Sequence, residues 1–153
     1  MLPGLKAALN IHPMLVHFPL ALWFAALLFE AWAVFRNSED WHRTAARLLY
    51  LGTIAGIAAA LTGLGAEKSV PAGTAMIVVG IHKTLMLLTT SVAIGLCLFA
   101  LIFRKNFTAA YRKYMLIGLV AMAILMTLGG DRGAQLVYQY GSAVDWSSAQ
   151  QQK

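Results

Sequence analysis

Charge is what this sequence has least of. Only 12% of its 153 residues are Asp, Glu, Lys or Arg, and 59% are hydrophobic. Soluble domains carry about twice that charge, about 25%, and run about 45–50% apolar. A globule of this size would lack the polar surface to cover itself, which excludes soluble, disordered and fibrous classes. Acids are scarcest, six against twelve Lys and Arg, giving a net charge of +6. There is one cysteine, Cys97, so an internal disulfide is excluded, and its apolar setting reads as that of a small hydrophobe. Phosphate-cradling loops, nucleophile elbows and paired catalytic carboxylates are missing as well.

What is present is long apolar runs. Four segments reach the about 20 residues that a hydrocarbon core of about 30 Å requires. They cover about 14–35, 44–64, 75–103 and 114–130, with a polar tail at 131–153. The first is too long for a cleavable signal, lacks a basic leader and is followed by three more spans. Connections are short, which makes successive helices antiparallel neighbours. The fold class expected is an all-α integral membrane protein, a single up-down-up-down four-helix transmembrane bundle.

The basic residues sort by end. One end, with both termini, holds Lys6, Lys68, Lys83, Arg132 and Lys153; the other holds Arg36, Arg43, Arg47, Arg104, Lys105, Arg112 and Lys113. Basic residues in short loops mark the cytoplasmic side. The +6 thus reads as topology rather than a nucleic-acid footprint, and both termini are expected to be periplasmic in a bacterial inner membrane.

So little charge makes the polar residues inside the spans conspicuous. At about 1.5 Å rise per residue, His17 lies about 11 Å and His82 about 10 Å from the midplane, on the side of the termini. An ionisable group at such depth is a functional-site hypothesis by default. Facing histidines in a bundle can hold a b-type haem, each giving one nitrogen to the iron. His17 and His82 are the axial ligands expected, with His12 an alternative ligand and Lys83 and Arg132 as cations for the propionates. A copper or zinc site built from His12, His17 and His82 with Asp131 or Glu67 ranks second. The competing reading is that these histidines only hydrogen-bond between helices, as in a cofactor-free accessory or assembly subunit.

Other features read as structural. Glu30 is the only acid within a span, and Arg47 stands at the same end, so a buried ion pair is expected ahead of a proton path. His42 reads as a solvated loop residue. Gly52 and Gly56 form a GxxxG, a stripe for close helix packing.

The run Ile11-His12-Pro13-Met14-Leu15-Val16-His17-Phe18-Pro19-Leu20-Ala21-Leu22 resembles the opening, HPxxVHFPIAL, of a bacterial membrane-protein family, the domain of unknown function numbered two-two-three-one. Thr62-Gly63-Leu64 is similar to its TGL, and residues 133–144 to its closing GGxLVYxHGxxV. Here Ala134 replaces the second glycine and Tyr140 the histidine. The resemblance implies a four-span membrane domain found joined to or beside Rieske and cytochrome c modules. The function expected is therefore electron transfer within a respiratory chain. The partners expected are the bilayer, a larger membrane redox complex, a quinone, a periplasmic cytochrome or Rieske-type protein, and a second copy of the chain in a homo-oligomer. Catalysis of bond chemistry is not expected.

Overall fold

The computed structural model describes residues 11–67, 73–104 and 108–142. Five helices follow one another: α1 (His12–Leu15), α2 (His17–Arg36), α3 (Glu39–Ala66), α4 (Thr74–Phe103) and α5 (Ala109–Tyr138). The first two together make one candidate span, so four helical segments are long and apolar enough to cross a membrane. No strand occurs among the described residues. The protein is a helical membrane bundle, as the apolar runs imply.

The break between α1 and α2 follows from proline chemistry. A proline inside a helix has no N–H to donate and its ring clashes with the carbonyl four residues earlier. For Pro19 that residue is Leu15, where α1 ends. Pro13 and Pro19 each fall in the first turn of their own helix, where no donor is needed. The helical hydrogen-bond ladder is therefore interrupted at Val16, although that residue keeps right-handed helical dihedrals (φ −62°, ψ −23°).

The remaining ends are capped locally. Asn37 adopts the left-handed conformation at φ 50°, and the Ser38 N–H bonds back to the Ala33 carbonyl at 3.0 Å. Asparagine is one of the few residues besides glycine that tolerates this geometry. Glu39 and Asp40 then sit in the first turn of α3, where acids complement the helix dipole. The Thr108 hydroxyl caps α5 by accepting from the Tyr111 N–H. At the far end of α5, Gly141 at φ 62° lets Ser142 N–H reach the Leu136 carbonyl at 2.9 Å.

Two helices are longer than the apolar runs. The second span begins at Glu39 rather than near 44, and the fourth runs from Ala109 to Tyr138 instead of ending near 130. Polar first turns and the Gly-Gly-Asp-Arg stretch at 129–132 hide these extensions in the hydropathy profile. The glycines there do not break the helix, because Gly129 is buried by α4: a Cβ on it would lie 2.7 Å from the Met86 sulfur. The tail beyond Ser142 lies outside the described residues.

The core is made by Trp23, Leu49, Ala93, Met115, Leu119, Met122 and Met126. The Trp23 indole lies over the GxxxG of α3: Cβ atoms on Gly52 and Gly56 would come within 2.7 and 2.6 Å of it. That stripe therefore serves packing within the bundle. Thr89, Thr90 and Ser91 each return their hydroxyl to the carbonyl four residues back, at 2.8–2.9 Å. Phe18, Leu28, Phe35, Ile54, Leu61, Ile77 and Ile102 all point outward and are more than 60% exposed. Such a continuous apolar exterior suits lipid and not water.

Candidate functional site

One end of the bundle gathers two imidazoles. His12, on α1, faces α3, where its Nδ1 lies 2.9 Å from the Ala59 carbonyl and 3.3 Å from the Thr62 hydroxyl. The ring lies against Gly63, where a Cβ would come within 2.8 Å of its Cε1. On α4, the His82 Nδ1 lies 2.7 Å from the Gly129 carbonyl of α5, and a Cβ on Gly133 would lie 3.0 Å from this ring's Cε1. The two ring centres are 6.5 Å apart and their planes are inclined at 75°.

Carbonyl oxygens only accept, so each Nδ1 carries hydrogen and donates. In a neutral imidazole that leaves the lone pair on Nε2. The hydrogen bonds of the described residues engage neither Nε2. Metal-binding histidines are held in this way, one nitrogen tied to a carbonyl and the other presented.

The ring facing His82 is thus that of His12, not His17. His17 follows five residues later, about 140° around a helix, and is exposed on the outer face. Depth does not settle which ring turns inward: His17 faces outward, and it is His12 that lies beside His82. Lys83 is already engaged, its ammonium 2.6 Å from Glu67. Arg132 is exposed, donating to Gln135 at 3.0 Å, with Asp131 at 3.7 Å.

Zinc sites take three or four protein ligands, yet no group of three or more His, Cys, Asp or Glu that would hold a metal ion exists among the described residues. The three- or four-ligand copper or zinc set expected from His12, His17, His82 and Asp131 or Glu67 is not assembled. A haem asks only for two axial ligands. With metal–nitrogen bonds of about 2.0–2.1 Å, two imidazoles across one ion have centres about 6 Å apart, close to the separation found.

At the opposite end stands a second polar cluster. Glu30 is 0% exposed, and its Oε2 lies 2.6 Å from the His42 Nδ1. The His42 Nε2 lies 3.1 Å from the Tyr111 hydroxyl. Two expectations are corrected here. His42 is buried in the first turns of α3 instead of solvated in a loop, because that helix starts before its apolar run. The buried partner of Glu30 is His42, by hydrogen bond, while Arg47 is exposed. The signal was available: a lone acid within a span needs a partner, and His42 is the one imidazole at that end.

The motifs that carry the family resemblance meet at the first cluster. His12 opens it, Thr62 and Gly63 contact the His12 ring, and Gly133 of the closing segment supports His82. Tyr140 packs beside Val78, Val79 and Leu136. No curated protein and no solved structure matches the chain. The family model described as predicted membrane protein (DUF2231) matches residues 8–145. That match takes in all five helices and both polar clusters, and the chain belongs to this family.

Proposed function

We propose that this protein is a membrane electron-transfer protein that holds one b-type haem between His12 and His82. The observation that carries the reading is the pair of imidazoles 6.5 Å apart, each with Nδ1 tied to a carbonyl of another helix. The Ala59 and Gly129 carbonyls orient the rings and present both Nε2 atoms. Gly63 and Gly133 allow the rings to lie close to the helix backbones. A bound haem supplies a one-electron ferric–ferrous couple. Lys83 and Arg132 are the cations at this end for its propionates. The concentration of arginines at the other end supports a cytoplasmic position for that end. The haem end then faces the periplasm of a bacterial inner membrane and exchanges electrons with a quinone, a membrane redox complex or a periplasmic redox protein.

The test is a reduced-minus-oxidised visible spectrum of protein purified in mild detergent from haem-replete cells, with metal analysis. His12→Ala and His82→Ala should each abolish the haem band, and His17→Ala should leave it. A wild-type protein without haem overturns the reading. Bound copper or zinc would then indicate a non-haem site, and neither would indicate an accessory subunit.

A further inference from the structure

The Glu30–His42–Tyr111 cluster plays no part in holding a haem at the other end of the bundle. It is arranged from the bundle end inward. Tyr111 and His42 lie in the first turns of α5 and α3. Glu30 is six residues before the end of α2, about 9 Å deeper at 1.5 Å per residue. All three are buried, at 5%, 5% and 0% exposure. A permanent buried ion pair needs further hydrogen bonds to satisfy its remaining lone pairs. Glu30 has a donor on Oε2 only, and its Oε1 has no hydrogen-bond partner. The carboxylate is therefore incompletely satisfied in a setting where unpaired charge is costly.

We propose that Glu30 is a reversible proton-binding site, loaded from the arginine-rich end through Tyr111 and His42. The transfer balances without any other reactant. A proton arrives at the Tyr111 oxygen as the Tyr111 hydroxyl proton passes to His42 Nε2. The His42 Nδ1 proton passes to Glu30 Oε2. One proton is gained, Glu30 becomes a neutral acid, and His42 changes from its Nδ1–H to its Nε2–H tautomer. Ionisable groups nearest the cluster include Tyr50 on α3, Cys97 on α4 and Arg112 on α5, which donates to Asn37; Arg36, Asp40, Arg47, Arg104, Lys113 and Tyr114 stand at the same end. Arg43 is occupied by Glu39 on its own helix.

The full chain in nanodiscs, labelled with 15N-histidine, tests this across about pH 5–9. His42→Gln assigns the resonances. The result expected is an exchange of the two His42 ring-nitrogen shifts, in step with a protonated-carboxyl band in infrared difference spectra. Glu30→Gln should lose both signals while helicity is retained. The other carboxyl side chains are Glu39, Asp40, Glu67, Asp131 and Asp145, so a variant with Gln or Asn at all five should keep the band, which assigns it even if Glu30→Gln misfolds. A His42 ring that never changes, or becomes an imidazolium with no change in the carboxyl band, overturns the proposal.

Discussion

Single atoms decide much of the packing in this protein. Gly56 has no room for a Cβ, which would lie 2.6 Å from the indole carbons of Trp23. Trp23 is 1% exposed and donates to Thr53, so it has little freedom to withdraw. Overpacking of this kind costs about 1–3 kcal/mol. Gly56→Ala should therefore destabilise the bundle by that amount in a reversible unfolding titration in detergent. Gly65→Ala, at an exposed position with open space, should change little. The sequence marks Gly52 and Gly56 as a small-residue stripe but not its occupant, because the partner is chosen by tertiary packing. The histidines show the same limit. His17 and His82 match in depth, whereas contact depends on which ring turns inward. A histidine's depth is readable from hydropathy; its azimuth about an interrupted helix is not.

The interruption at Val16 is a property of an element, set by one residue within it. Pro19 leaves the Leu15 carbonyl without the N–H that would continue the helix. Pro19→Ala restores the donor and should join α1 to α2. The His12 ring would then leave the Ala59 carbonyl. The expected outcome is loss of the hydrogen-bonded Nδ1 resonance of His12, with that of His82 retained, while total helicity by circular dichroism stays the same or rises. Retention of the His12 hydrogen bond would show that Gly63 and Thr62, not the interruption, hold the ring. Element ends were the least legible part of the sequence for a consistent reason. Hydropathy reports where lipid contact ends, and α3 and α5 both continue past that point through polar turns, α5 with a Thr108 cap and α3 with Glu39 and Asp40 in its first turn. The four spans were legible because each presents lipid-facing residues along most of its length.

At the scale of the whole molecule, the two polar clusters lie at opposite ends of a core of Trp23, Leu49, Met115, Leu119 and Met122. The orientation proposed for those ends can be checked with a Cys97→Ala background. A membrane-impermeant maleimide added to intact spheroplasts should label Gly65→Cys and not Ser38→Cys; the reverse pattern would invert the assignment. The pairing of polar groups also bears on how the protein enters the bilayer. Glu30 finds His42, and His12 finds Ala59, within the segment from α1 to α3. His82 finds Gly129 within the α4–α5 pair. Links such as Tyr111 to His42, Arg112 to Asn37 and Cys97 to Thr53 join the two halves. The three buried or half-buried groups Glu30, His12 and His82 thus find partners within their own half, while Arg112 and Tyr111 bond across the halves. If the chain enters the bilayer as two hairpins, docking of the halves is the step that forms the Arg112–Asn37, Tyr111–His42 and Lys83–Glu67 contacts.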